Sequence, residues 1–185
     1  VAFDLPAPTF RHEMYDAYKG TRKPMPSELR EQVPVMKDVL KAMGIAIISK
    51  EGYEADDLLG TVAKRSEAKG MDVTVLSGDR DLLQLATDHI CIRIPKTKGG
   101  KTTIEDYFAK DVQEKYQLSP LQIIELKALM GDTADNIPGL PGVGEKTATK
   151  LLLEYKNVEN AYAHVEEIKP NKAKNAFLEH YDLAV

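Results

Sequence analysis

The chain has 185 residues, 43% of them hydrophobic and 29% charged, which fits one soluble domain with a small helical appendage. No apolar run approaches the roughly 18 residues a spanning helix needs, and Val1-Ala2-Phe3-Asp4 has neither a basic leader nor a cleavage site, so neither membrane nor export is expected. The net charge of −4, from 25 basic and 29 acidic residues, taken alone argues weakly against a nucleic-acid partner. Its distribution says more than its sum: acids fall in tight groups and bases in other stretches. The lone Cys91 can form no internal disulfide and reads as a small buried hydrophobe in a reducing cytoplasm.

In chain order, Val1–Asp4 reads as a short strand ending in an acid. Phe10–Pro26 is polar, basic and aromatic, broken by Gly20, Pro24 and Pro26. Ser27–Met43 has helical periodicity through Leu29, Val33, Met36, Leu40 and Met43, and stops at Gly44. Ile45–Ser49 is a β-branched run, hence a buried strand. Tyr53–Lys69 predicts a helix closed by Gly70, Val73–Ser77 a strand, Asp81–Ala86 the start of a helix, Ile90–Ile94 a strand, and Lys96–Thr103 a Gly/Lys-rich turn. Beyond residue 105 the pattern is helical. Ser119-Pro120 supplies an N-cap and first-turn pair for a helix to Met130, and Glu145–Tyr155 and Asn157–Val165 follow. Strands alternating with helices predict an α/β fold with a mostly parallel sheet over residues 1–105, and 106–185 should form a helical region.

Four acid groups stand out: Asp4; Glu54, Asp56 and Asp57; Asp79 and Asp81; Asp132 and Asp135. Asp4 and Asp79 lie just past predicted strand ends, the sheet edge where open α/β folds bind ligands. Glu54, Asp56 and Asp57 open a helix beyond another strand. There, acids also serve as ordinary partners of the helix dipole, worth under about 1 kcal/mol each. The i,i+3 spacing of Asp132 and Asp135 puts both on one side of a helical turn. Two carboxylates about 4 Å apart repel by roughly 4 kcal/mol at an effective dielectric of 20, so a fold that gathers several needs cations. Oxygen ligands without His or Cys favour Mg²⁺ or Mn²⁺ over Zn²⁺ and point to phosphate chemistry. His12, His89, His164 and His180 show no ligand spacing among themselves.

Gly139-Leu140-Pro141-Gly142-Val143-Gly144-Glu145-Lys146 is a glycine-rich hairpin leading into a helix (hairpin 139–148). Bare N–H groups at Gly142 and Gly144, a helix N-terminus, and Lys146 and Lys150 suit a phosphate; a plain helix–helix connection is the alternative. A P-loop fails, because Glu145 separates Gly144 from Lys146. Arg11, Tyr15, Tyr18, Lys19, Arg22 and Lys23 form a second basic-aromatic stretch, either a surface loop or one where Arg and Lys hold phosphates and Tyr stacks on an unpaired base.

Tyr53-Glu54-Ala55-Asp56-Asp57, Ser77-Gly78-Asp79-Arg80-Asp81-Leu82-Leu83-Gln84-Leu85 and Gly131-Asp132-Thr133-Ala134-Asp135-Asn136-Ile137-Pro138-Gly139 resemble successive signatures of the bacterial 5′-nuclease family. Ala2-Phe3-Asp4, Phe10-Arg11-His12 and Tyr18-Lys19-Gly20-Thr21-Arg22 match the segment upstream. Five motifs in order, across nearly the whole chain, look most like the N-terminal domains of bacterial DNA polymerase I. The family's pattern opens further upstream, with a strand and an Asp-Gly turn that supplies one more ligand, so the chain is expected to be a fragment of its domain.

The resemblance implies a PIN-like α/β 5′-nuclease with a helix-hairpin-helix-type region. It implies a structure-specific 5′-3′ exonuclease and flap endonuclease of replication and repair, cytoplasmic and nucleoid-associated. Asp4, Glu54, Asp56 and Asp57 would serve one Mg²⁺, and Asp79, Asp81, Asp132 and Asp135 a second, with Asp56 shared and Mn²⁺ able to substitute. Two such ions about 3.5–4 Å apart would activate water and stabilise the leaving oxygen. Arg11, Tyr18, Lys19 and Arg22 would lie in an arch (about 10–30) over the active site. Gly139, Gly142, Gly144, Lys146 and Lys150 would grip duplex backbone, with a K⁺ at the hairpin. Partners would be DNA with 5′ flaps, nicks or ends and the polymerase domains of the same chain, with no membrane and no obligate protein partner. A truncated domain that only binds DNA, and an RNase of PIN-type fold, are the rival readings; the hairpin argues against the second.

Overall fold

A computed structural model describes residues 1–184; Val185, the last residue of the expected helical region, lies outside the described residues. The chain divides into two compact units, one of Val1–Val62 with Ala134–Asn136, the other of Ala63–Thr133 with the chain from Ile137 onward.

The first unit holds α1 (Phe10–Met14), α2 (Ser27–Ala42) and most of α3 (Ala55–Glu67). The strands expected at Val1–Asp4 and Ile45–Ser49 do not form. They meet in a single parallel bridge, Ala2 to Ile48, held by Ile48 N–H on Val1 O at 2.9 Å and Phe3 N–H on Ile48 O at 3.0 Å. The Val1 amino group adds a bond to Ala46 O at 2.7 Å, but one bridge does not make a ladder, and Ile45 and Ile48 are 37% and 36% exposed, so the expected burial is also absent. In α2 the helical period is correct, but no residue is buried: Leu29 and Met36 of the apolar stripe are 49% and 47% exposed. Pro34 inside α2 has no N–H to donate to the preceding turn. Among the described residues of this unit only Thr9 and Tyr18 are buried.

The second unit carries the core. β1 (Val73–Leu76), β2 (Ile90–Lys98) and β3 (Lys101–Tyr107) form a sheet in that order, with β1 parallel and β3 antiparallel to β2. The sheet is therefore mixed, and the expected turn at Lys96–Thr103 shrinks to Gly99-Gly100. Both glycines have positive φ (58° and 75°), the backbone a two-residue hairpin needs to match strand twist. β-branched Thr97, Thr102, Thr103 and Ile104 extend the two arms in register. Asp81–Leu85 is a 3₁₀ helix. α4 (Ala109–Tyr116), α5 (Pro120–Met130), α6 (Glu145–Tyr155), α7 (Val158–Ala163) and α8 (Asn171–His180) complete the unit. Ser119 Oγ accepts from Gln122 N–H at 3.3 Å and Gln122 Oε1 accepts from Ser119 N–H at 3.0 Å, the expected start of α5. Ile90, Ile92, Leu83, Leu129, Leu152 and Phe177 are fully buried here, and Cys91 is buried beside them in β2. No helix of the described residues is long and apolar enough to cross a membrane.

Candidate active site

Each unit places acids against cations. In the first unit, Asp4 Oδ1 accepts Ala55 N–H at 2.7 Å and Asp57 Oδ2 accepts Glu54 N–H at 2.9 Å. Two of the acids thus satisfy the exposed N–H groups at the start of α3, as helix-start carboxylates do. Asp56 follows in the same turn. The Arg11 guanidinium meets Asp57 through two parallel bonds of 2.8 Å. That bond holds the Asp57 carboxyl below the usual carboxylate range, against the opposing effect of burial.

Lys19, at φ 54°, brings its Nζ to 2.6 Å from Glu54 Oε1. Arg22 pairs with Asp135, and its Nε donates to Ala134 O at 3.1 Å. The Ala134–Asn136 segment is tied down further by Lys19 N–H on Asp135 O and Asn136 Nδ2 on Ala17 O, both 2.8 Å. Tyr18 corrects one expectation. Its ring is 4% exposed, leaving no free face for a base to stack on, and its hydroxyl lies 3.0 Å from Glu54 and 3.1 Å from Asp135. Burial, then the Glu54 bond, pushes the phenol far above its ordinary range. Arg11, Lys19 and Arg22, expected to hold phosphates, here hold carboxylates, because crowded acids draw in the nearest positive charges.

In the second unit, Ser77 Oγ accepts Asp79 N–H at 3.1 Å and Asp79 Oδ1 accepts Asp81 N–H at 2.8 Å, turning the chain from β1 into the 3₁₀ helix. Asp132 is fixed by an antiparallel bridge to Ile137, with both bonds at 2.8 Å. Lys127, in the last turn of α5, places Nζ 2.9 Å from Asp81 Oδ1 and 2.7 Å from Asp132 Oδ2. Burial raises the Asp81 pKa, and the like charges of Asp79 and Asp132 add to it; Lys127 pulls the other way without prevailing. Burial also opposes the Lys127 charge, but the bonds to Asp132 and Asp81 outweigh it and its pKa stands above the ordinary value. Sequence reasoning missed Lys127. Its only signal was a lysine one helical turn before the Gly131-Asp132 motif.

These clusters offer mainly carboxylate oxygens, a hard donor set suited to Mg²⁺ or Mn²⁺, and positive groups already sit among them. Among the described residues, as they stand, no three His, Cys, Asp or Glu side chains converge to hold a metal ion. The donor chemistry fits such an ion; Glu54, Asp57, Asp81, Asp132 and Asp135 meet ammonium or guanidinium groups instead, while Asp4 and Asp79 accept backbone N–H groups.

The hairpin is anchored by buried Leu140 and Val143, with Leu140 N–H on Leu129 O at 2.9 Å. Its glycines differ. A Cβ at Gly139 would lie 2.2 Å from the Met130 backbone carbon, so this glycine permits close backbone packing. Gly142 has φ +76°, and the Lys172 side chain lies across it, 2.2 Å from a Cβ placed there. Gly144 starts α6 with no side-chain cap and with open space where a Cβ would be. Lys146 and Lys150, four residues apart, are exposed on one face of α6, opposite buried Ala148, Leu151 and Leu152.

Each unit thus gathers carboxylates of the kind that serve divalent ions in metal-dependent nucleases, and the second unit adds a glycine hairpin. The chain belongs to the 5′-3′ exonuclease family: residues 1–117 match its N-terminal resolvase-like domain and residues 118–185 its C-terminal SAM fold. It resembles a stretch of bacterial DNA polymerase I. It is 51% identical over 185 residues to DNA polymerase I of Bacillus caldotenax and 48% identical to that of Bacillus subtilis, covering 100% of this chain and 21% of each relative. The chain thus spans about a fifth of the length of these polymerases. Its fold superposes on the bacteriophage T5 flap endonuclease, solved as a pseudo-enzyme-product complex with DNA and metal ions (TM-score 0.82, 26% identity, 100% of this chain and 70% of that one). The T5 5′-exonuclease with bound zinc is similar (TM-score 0.79, 27% identity, 98% and 69%).

Proposed function

We propose that the domain is a structure-specific 5′-3′ exonuclease and flap endonuclease, hydrolysing DNA phosphodiesters at 5′ flaps, nicks and ends with two Mg²⁺ ions, for which Mn²⁺ can substitute. It would act in replication and repair within a bacterial DNA polymerase I, in the nucleoid-bearing cytoplasm. The observation that carries this reading is the match to 5′-3′ exonuclease domains over the full length of the chain.

Asp4, Glu54, Asp56 and Asp57 would hold one ion, and Asp79, Asp81, Asp132 and Asp135 the other. When bound, the ions supply charge that lowers the pKa of an attacking water and stabilises the leaving oxygen. The chain's own groups do the rest. Asp57 and Asp4 fix the start of α3 through backbone N–H bonds, so Glu54 and Asp56 are presented on a rigid turn. Tyr18 lies between Glu54 and Asp135, with its one hydroxyl proton within reach of either carboxylate. Once ions neutralise the acids, Arg11, Lys19 and Arg22 become available for the phosphates of a 5′ strand, in the role of an arch over residues 10–30. Gly144 and the exposed face of Lys146 and Lys150 would receive duplex backbone at the start of α6, in a helix-hairpin-helix-type element with a K⁺ on hairpin carbonyls. Such contacts grip phosphate and do not read sequence. The catalytic region is read as PIN-like over 1–105 and the DNA-gripping region as 106–185.

A 5′-labelled flap duplex incubated with the intact protein and Mn²⁺ tests the proposal. Short 5′-labelled products that disappear with EDTA are expected. Binding without products would favour a domain that only grips DNA.

A further inference from the structure

Lys127 is the one side chain in the second unit's acid cluster that the proposed chemistry leaves unused. It reaches two acids carried by separate elements, Asp81 at the head of the 3₁₀ helix and Asp132 on the bridge beyond α5. Neither acid is free to drift. Asp81 N–H is held by Asp79 at 2.8 Å, and Asp132 is bonded on both its N–H and its carbonyl to Ile137. One ammonium therefore sits where two fixed carboxylate oxygens converge. A lysine is a compact point charge with rotatable donors on a flexible stem, which can occupy such a place and also leave it. An ion taking Asp81 Oδ1 and Asp132 Oδ2 as ligands needs the same oxygens and the same space, and two positive charges at one point repel.

We propose that Lys127 is the internal cation of this cluster, exchanged for a divalent metal ion: it holds Asp81 and Asp132 in place in the ion's absence, and it competes with the ion for them. The inference rests on the metal-site reading given above. Competition of this kind is reciprocal, so whatever affinity Lys127 has for the two acids is subtracted from that of the metal. The lysine thus prevents two fixed acids from repelling one another, at the cost of weaker ion binding.

Isothermal titration of the intact protein with Mn²⁺, without DNA, tests this, alongside thermal melting in EDTA and in Mn²⁺. Lys127→Met keeps the apolar stem and removes the charge. It is expected to tighten Mn²⁺ binding about fivefold to tenfold, the exchange of two partly exposed ion pairs. It should also melt earlier than wild type in EDTA, and gain more from Mn²⁺ than wild type does. Lys127→Arg, which restores a cation, should return both quantities toward wild type, and this keeps the test valid if Lys127→Met folds poorly. Asp132→Asn separates the layers of the argument. If Asp132→Asn weakens Mn²⁺ binding while Lys127→Met leaves it unchanged or weakens it, the exchange is wrong and the metal site stands. If Asp132→Asn leaves every Mn²⁺ binding event unchanged, the metal site is wrong and the exchange falls with it.

Discussion

Arg11 and Asp57, 46 residues apart, meet fork to fork: Nη1 lies 2.8 Å from Oδ2 and Nη2 2.8 Å from Oδ1. The same Asp57 Oδ2 accepts Glu54 N–H at 2.9 Å, so one carboxylate joins α1, at the head of the basic segment, to the first turn of α3. Planar bidentate pairing is a geometry that lysine cannot reproduce. Asp57→Asn and Arg11→Lys should therefore each destabilise the metal-free protein by about 1–2 kcal/mol, part of the bond's worth being lost to solvent. Urea unfolding in EDTA measures this, and the double variant should fall short of the sum because the two residues share one interaction.

Lys19 and Arg22 occupy the same segment and are spent on Glu54 and Asp135. In a complex with DNA and metal they should turn to the 5′ strand. Lys19→Ala with Arg22→Ala should reduce flap cleavage far more than duplex binding, and lower the salt slope of binding by at most about two phosphate contacts. A parallel fall in binding and cleavage would make them general anchors.

Gly144 offers a cleaner probe of the hairpin than Gly142. A valine at Gly142 would meet both a positive φ and the Lys172 side chain, so lost binding there would mix folding with recognition. At Gly144 nothing lies within 4 Å of an added Cβ and φ is −99°. Gly144→Ala should melt close to wild type yet weaken binding to all duplex sequences alike, with little effect on single strands. Unchanged duplex binding would remove the phosphate role.

Glu105 governs acid behaviour away from the acid clusters. Tyr107 Oη donates to it at 2.6 Å and Lys115 Nζ at 3.2 Å, tying β3 to α4, and these bonds lower its pKa from 4.5 to about 2. A carboxyl with a depressed folded pKa lends stability that is complete above 4.5 and fades as pH falls toward about 2. Glu105→Gln should therefore be less stable than wild type at neutral pH, and the difference should close between pH 4.5 and about 2. A constant difference across that window would show that the bonds do not favour the ionised form.

The acids were legible because their chemistry is local: Asp79 and Asp81 flank a strand-to-helix turn, and Glu54, Asp56 and Asp57 open a helix, in both the sequence and the structure. Their partners were not. Arg11 and Asp57 are 46 residues apart, and no periodicity announces a pair of that range. The β-branched run at Ile45–Ser49 reads as a buried strand, but a strand exists only where a neighbour bonds it, and one bridge is what it receives. The third strand, Lys101–Tyr107, was hidden by its polar and charged residues at an exposed edge. α8 lay beyond the motif-bearing part of the chain, its buried Ala173, Ala176 and Phe177 too few to stand out by periodicity.

The most direct test of the account removes the charge from Asp79 and Asp81 together. Both would serve metal-assisted hydrolysis, and neither would grip DNA. Asp79→Asn with Asp81→Asn, in the intact protein with saturating Mg²⁺ and a 5′-labelled flap, should abolish cleavage and leave binding of the flap unchanged or tighter, since two negative charges near phosphate are gone. Cleavage at the wild-type rate by the double variant would contradict the account.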